Sequence, residues 1–377
     1  VANRTAAHLV AAAACAAGIA AASAADDRSD SAAKAKGPDQ VFITWLSVTN
    51  ILYQVEGLGI LTDGYITRIP REEFYGGGGG YAFTRHTRKP DVAAVQRVLD
   101  AIGGKSTIDL LLTGHSHWDH SFDTATWSQL TGAPILGSRT TCFEATAQGL
   151  PEDRCEPIYG GEKLDTPQGV TIRVIRWNHS GDSNKNPEQH QPVELCNPPT
   201  PDADGGLHAG VAEDFPNGGG NRAFLFTVDS PRGRYSWFYQ NSASAADLSV
   251  NIIMDGTDYG APLENLKKVM REAGVDHVDL WIGTGGLPIA KLLVPVLKPR
   301  AYIPVHWDDF FAPFERGVIS PFSDAELEPF LAEQNVRLLA PKQYMDKWRL
   351  DATGIEPVSN EPIKRKLGFS NRGTAER

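Results

Sequence analysis

Gly114-His115-Ser116-His117-Trp118-Asp119-His120 is the stretch that decides how this chain is read. Three histidines and a carboxylate fall within six positions, directly behind the apolar run Ile108-Asp109-Leu110-Leu111-Leu112. Neutral imidazoles and carboxylates are the ligands a borderline divalent ion such as zinc takes. So many polar groups in one short loop make a poor hydrophobic core and a good metal cradle. The alternative is a polar surface turn. With ten His in 377 residues, three in one such turn would be an unusual accident.

The spacing has a physical reason. Alternate residues of an extended segment share a face, so a loop leaving a strand can aim His115 and His117 at one point. Asp119 and His120 lie past a bend and can reach a second point nearby. One loop can therefore feed two adjacent metal positions, as two-metal hydrolases require.

The pattern His-x-His-x-Asp-His after an apolar strand resembles the signature of the metallo-β-lactamase superfamily. That family also has an early structural Asp, a third His, a bridging Asp and a last His near the C-terminus. Ile60-Leu61-Thr62-Asp63-Gly64 fits the early Asp, Arg176-Trp177-Asn178-His179 the third His, and Ile303-Pro304-Val305-His306-Trp307 the last. These occur in the family's order between about Val41 and Leu350. The resemblance implies an α/β fold, a four-layer αββα sandwich. It implies that His115, His117 and His179 hold one metal and Asp119, His120 and His306 a second. Asp63 is implied to orient the ligand loop without touching metal.

One piece departs from the pattern. The strand that should end in the bridging Asp reads Tyr235-Ser236-Trp237-Phe238-Tyr239-Gln240-Asn241-Ser242, with Asn241 where the carboxylate is expected. A neutral amide oxygen does not bridge two cations as a carboxylate does. The second metal is then weaker, or absent, or another acid substitutes. Asp255 is the candidate substitute, unless it only opens a turn.

The resemblance implies a zinc-dependent hydrolase carrying one or two ions. An activated water would attack a small ester, lactone or amide-type substrate, and Asp119 would be the catalytic carboxylate that ligates or carries the proton. The superfamily also cleaves thioesters, phosphodiesters and sulfate esters. The alternative is a non-hydrolytic metal-binding or iron redox member of the same fold.

The rest of the sequence bounds this reading. Net charge −10 and pI near 5.5 argue against nucleic acid as a partner, since no basic stripe is present to neutralise phosphates. A small-molecule substrate is expected instead. Residues 1–24 have the plan of a secretory signal peptide, an alanine-rich run ending in Ala22-Ser23-Ala24. The protein is therefore expected to be periplasmic or secreted, with no membrane span. Residues 25–40 read as a flexible linker, 41–350 as the hydrolase domain and 351–377 as a basic, disordered tail.

Besides Cys15 in the leader there are Cys142, Cys155 and Cys196, so at most one internal disulfide with one free thiol is expected, and Cys142 with Cys155 is a plausible pair. Gly76 to Gly80, flanked by Phe74, Tyr75, Tyr81 and Phe83, are either a floppy surface loop or a mobile flap. The Asn-, Pro- and Gly-rich insertion from Ser183 to Arg222 is expected to wall the pocket, with His190 and His208 solvated. Pro90 and Pro262 are expected to open helices, and Ile108–Leu112, His277–Ile282 and Ala301–Val305 to be strands.

Overall fold

The computed structural model describes residues 37–74, 86–179, 192–210 and 213–369. The leader, the glycine run and His190 lie outside these residues.

Two mixed sheets face each other. The first contains β1 (Gln40–Ser47), β2 (Asn50–Val55), β3 (Leu58–Thr62), β4 (Leu110–Leu112), β5 (Ile135–Gly137) and β6 (Cys155–Pro157). The second contains β7 (Lys163–Asp165), β8 (Val170–Trp177), β9 (Asn221–Ser230) and β10 (Gly233–Tyr239). A hairpin of β11 (Ile253–Met254) and β12 (Thr257–Asp258) stands apart. Then β13 (Leu280–Gly283), β14 (Ala301–Pro304) and β15 (Arg337–Leu338) complete the second sheet, and β16 (Asp346–Asp351) and β17 (Gly354–Val358) return to the first. Strand order is β17-β16-β1-β2-β3-β4-β5-β6 in one sheet and β15-β14-β13-β10-β9-β8-β7 in the other.

Alternation along the strands explains the layers. Phe224 and Phe226 point into the core between the sheets, while Ala223 and Leu225 point to the opposite face. Trp237 and Tyr239 likewise oppose Phe238, and Ile282 opposes Trp281. Tyr53 of β2 meets Phe226 and Trp237 across the gap, with ring centroids 5.1 and 5.6 Å apart. Helices Pro262–Ala273 and Leu287–Leu297 cover the outer face of the second sheet through Leu266, Met270, Ala290 and Leu293. Helix Val92–Ile102 packs Val95, Val98, Leu99 and Ile102 against the first. The result is the four-layer αββα sandwich.

Both expected helices form, and only the first has a shifted start. Asp91, not Pro90, caps the first, its carboxylate accepting the Ala94 N–H at 2.9 Å. Pro262 does occupy the first turn of its helix. Among the described residues no helix is long and apolar enough to cross a membrane.

The tail expectation fails where it can be tested. Within 351–369 lie β17, which pairs with β16, and a helix, Glu361–Leu367. The charges of Lys364, Arg365 and Lys366 suggested disorder. Buried Ile355 and Phe369 anchor the segment instead, and Lys364 Nζ reaches Asp346 Oδ1 at 2.6 Å. At the other end, Gln40 of the expected linker already opens β1. Cys142 and Cys155 are disulfide-bonded with Cα atoms 5.3 Å apart. Cys196 is disulfide-bonded too, so the expected free thiol is not there.

Candidate metal centre

Every candidate ligand follows the C-terminal end of a strand, and these ends meet at one edge of the sandwich. Asp63 follows β3, and the His115–His120 loop follows β4 and closes into a single helical turn, Trp118–Ser121. His179, Asn241 and His306 each stand two residues past β8, β10 and β14. His117 keeps an extended backbone (φ −65°, ψ 151°) and the helical turn begins after it. That break in conformation separates the two groups the loop supplies.

One group is His115, His117 and His179, and the other is Asp119, His120 and His306; within each, the ligand-type atoms lie within 4.8 Å of one another. The ring centroids of the first trio are 4.4 to 4.9 Å apart. In the second, His306 Nε2 is 3.1 Å from Asp119 Oδ2 and 3.3 Å from His120 Nε2. The groups adjoin, since the His115 and His120 rings are 4.0 Å apart.

The protonation these groups hold suits a metal. Burial pushes His117 down to about 3, opposed by Asp119 and aided by the His120 and His306 imidazoles. Burial also pushes His115 well below the ordinary histidine range, and the neighbouring imidazoles add to it. Both are neutral near pH 7, with lone pairs available. His115 Nε2 and His117 Nε2 are buried and meet no hydrogen-bond partner among the described residues. Buried lone pairs without partners are costly, and a divalent ion satisfies them. Asp119 is ionised: burial opposes it, but His120 and His306 hold its carboxyl below the usual range. Asp119 in turn raises His306, against the effect of burial.

Asp63 orients the loop, as the resemblance implied. Its Oδ1 accepts the Gly114 N–H at 2.9 Å. Around Oδ2 stand Thr49 Oγ1 at 2.6 Å, Asn241 Nδ2 at 2.7 Å, Tyr239 OH at 2.8 Å and His120 Nδ1 at 3.0 Å. A carboxylate on His120 Nδ1 fixes the proton there and leaves Nε2 facing Asp119 and His306. Burial would raise the Asp63 carboxyl, but His120 and these donors hold it low.

Asn241 is where the sequence placed it, beneath the cluster, but its amide does a different job from a bridge. Its Oδ1 lies 3.1 Å from His115 Nδ1 and its Nδ2 donates to Asp63. It therefore fixes the His115 tautomer and ties the first trio to the carboxylate that supports the second. Gly114 is needed because any Cβ there would collide with this amide. Asp255 is not a substitute. It sits at φ 50° in the turn between β11 and β12, with its side chain 55% exposed and 4.0 Å from Arg139, and belongs to neither trio. His208 is half-buried beside Asp214, and His277 half-buried beside Asp276.

Three supports were not legible in the sequence: Thr49, Tyr239 and Asp308. Asp308 Oδ2 accepts from Val48 N at 3.0 Å and Tyr344 OH at 2.7 Å. Val48 O accepts the His306 N–H at 3.0 Å. Val48, Asp63 and His306 all have positive φ, at 45°, 55° and 64°. A β-branched residue there is an outlier, and such strain gathers where surrounding bonds over-determine the backbone.

An αββα sandwich with two His/Asp trios at the edge where its sheets meet is the metallo-β-lactamase fold. No protein-family model matches the chain. It is similar to two proteins described as UPF0173 metal-dependent hydrolases. The one from Pyrobaculum islandicum is 33% identical over 70 residues, 19% of this chain and 31% of that protein. The one from Pyrobaculum arsenaticum is 31% identical over 81 residues, 22% of this chain and 35% of that protein. The matched segment thus spans about a third of these relatives' length. Among solved structures, Igni18, a metallo hydrolase from Ignicoccus hospitalis, aligns over 83% of this chain and 99% of its own at 12% identity and TM-score 0.45. CmlA, a diiron β-hydroxylase from Streptomyces venezuelae, aligns over 83% of this chain and 54% of its own at 11% identity and TM-score 0.42.

Proposed function

We propose that the protein is a metal-dependent hydrolase that uses one or two zinc ions to cleave a small ester, lactone or amide-type substrate with water. The observation that carries this reading is the convergence of two trios with buried, unpartnered His115 Nε2 and His117 Nε2. Zinc in such a setting supplies a water acidic enough to ionise near neutrality and polarises the oxygen under attack. His115, His117 and His179 would hold the first ion, and Asp119, His120 and His306 the second. Asp119, kept ionised beside His306, is placed to take a proton and return it to the leaving group. Asp63 and Asn241 keep the imidazole protons on the Nδ1 atoms, away from the centre.

Metal analysis of protein purified without added metal is the test. One to two equivalents of zinc, with turnover on a panel of esters and lactones, is the expected result. His115→Ala or His179→Ala should lose the first ion and reduce hydrolysis by more than about a hundredfold. Full zinc content and activity in the double variant would sink the reading. Iron in place of zinc, without hydrolysis, would favour the redox alternative.

We also propose that the protein works in an oxidising compartment, periplasmic or secreted. The Cys142–Cys155 disulfide supports this. Native protein recovered from the cytoplasm with an intact leader would contradict it.

A further inference from the structure

One buried acid has no part in the chemistry above. Glu144 lies on the helix Arg139–Ala147, which Ser138 caps by accepting the Thr141 N–H at 2.9 Å. The Cys142–Cys155 disulfide ties this helix to β6. Glu144 is 1% exposed, and its carboxyl meets the back of the ligand loop.

An ionised carboxylate this deep needs several donors or a cation. Glu144 Oε2 meets one hydroxyl, Ser121 Oγ, at 2.6 Å, and Oε1 meets no partner among the described residues. The surroundings supply no positive charge. The helix packs against β5, β6 and helix Thr124–Thr131, and these carry only Glu156, which is exposed. Arg139 on its own helix is engaged with Glu194. Asp119 and His120 of the ligand loop turn to His306. The insertion brings Asp214, with His208 Nδ1 3.5 Å from it. Burial pushes the Glu144 carboxyl well above the usual carboxylate range, and Asp214 adds to this against the Ser121 hydrogen bond.

Counting protons gives the same answer. Ser121 Oγ has one proton and two further oxygens in reach, Ser116 O at 3.1 Å and His117 O at 3.3 Å. His117 O already accepts the His120 and Ser121 N–H groups, each at 2.9 Å. Ser116 O has no other donor among the described residues. An ionised Glu144 would draw the Ser121 proton to itself and leave the Ser116 carbonyl bare. A neutral Glu144 donates instead, and the Ser121 proton is free for Ser116 O. The Ser116 carbonyl belongs to the peptide that carries His117, and Ser116 Oγ donates to Pro216 O at 2.7 Å.

We infer that Glu144 is a positioning residue of the metal centre: as an uncharged acid it donates to Ser121 Oγ, which donates to Ser116 O and holds the peptide that aims His117. This rests on the reading of the His/Asp trios as a metal centre.

Three variants test it. Glu144→Gln keeps a neutral donor of the same shape, Glu144→Leu keeps the volume without a donor, and Ser121→Ala cuts the chain at its middle. Hydrogen exchange over His115–Ser121 in metal-free protein, read by mass spectrometry, reports on the loop directly. Glu144→Gln should stay within about twofold of wild type, and the other two should exchange about fivefold to tenfold faster. Zinc affinity, read by competition with a chromophoric chelator, should keep the same order, with Glu144→Leu and Ser121→Ala weaker by about tenfold. Thermal melts of metal-free protein report the proton. As pH rises above 4.5 the unfolded chain releases it and the folded chain keeps it, so stability falls, and Glu144→Gln should remove about one proton from that slope. Glu144→Gln as damaging as Glu144→Leu would show that a charge is required and overturn the inference. Wild-type exchange and zinc affinity in Glu144→Leu would overturn it too. If Glu144→Leu does not fold, Ser121→Ala decides, and wild-type exchange there overturns the inference. A wild type that binds no zinc would sink the metal reading, while the exchange series still decides whether Glu144 holds the loop.

Discussion

The two trios share one loop but are built differently. His115, His117 and His179 are three imidazoles, all buried, and His115 is steadied through a neutral amide, Asn241. Asp119, His120 and His306 include a carboxylate and are steadied through a second carboxylate, Asp63. His306 is partly exposed and lines a cavity of about 730 Å³. The contrast teaches that the two positions divide labour. The first is a closed seat for an ion. The second carries the negative charge and is partly open to solvent.

Removing Asp63 would do most to break this contrast. Asp63→Ala strips the acceptor from Thr49, His120, Tyr239, Asn241 and Gly114 together. Loss of one partner from a buried charged network costs about 3–5 kcal/mol. Urea denaturation should show a loss of that order. Metal titration should show the second position weakened about 10–100-fold and the first much less. Equal weakening of both would mean that the trios are one unit.

Acid separates the trios next. His117 titrates at about 3 in the folded protein against an ordinary 6.5, because burial disfavours its charge. Between those values the unfolded chain binds the extra proton, so unfolding is promoted as pH falls. The same sign holds for His115. Metal-free protein should lose stability steadily from pH 6.5 toward pH 3. Glu144 acts in the opposite sense: burial raises its carboxyl, so its contribution is present in acid and lost as pH rises. His117→Gln should reduce the acid slope of a thermal melt by about one proton, and an unchanged slope would show that His117 is not buried neutral.

Most of this arrangement was legible in the sequence because ligands are chemically rare and lie in fixed order along the chain. His115, His117 and His179 come together, as do Asp119, His120 and His306, in the two sets the resemblance implied. The strands that deliver them were visible from their apolar runs. The supports were not visible because they are common residues brought together by the fold: Thr49 and Tyr239 are 190 positions apart, and Asp308 and Val48 are 260 apart. Asn241 was located correctly, but its role needed the positions of His115 and Asp63 on either side. The C-terminal segment was misread because the charges of its helix outnumber its two apolar anchors, Ile355 and Phe369.

Asn241→Asp sharpens the comparison at the point where the trios touch. A carboxylate in place of the amide would face Asp63 Oδ2 across the 2.7 Å now spanned by an N–H donor. Like charges at that range are destabilising, so metal-free protein should lose about 1–3 kcal/mol at pH 7 and regain part of it on acidification. Two bound dications reverse the sign by supplying positive charge, and the second ion should bind tighter than in wild type. Calorimetric titration of both proteins with zinc reads this. Weaker binding of both ions would show that the His115 tautomer matters more than the added charge.

The smallest expected effect is that of Tyr239→Phe. The hydroxyl lies 2.8 Å from Asp63 Oδ2 and 2.9 Å from Thr49 O, and it donates to one of them at a time. Its removal leaves Thr49, His120 and Asn241 still donating to Asp63, and Thr62 still near Thr49 O at 3.4 Å. No buried group is left wholly without a partner, and the ring keeps its packing against Phe224. The loss is then that of one ordinary hydrogen bond, about 1 kcal/mol in urea denaturation, with the second metal position weakened by less than about tenfold. A loss as large as that of Asp63→Ala would mean that the tyrosine, and not the carboxylate, holds the second trio in place.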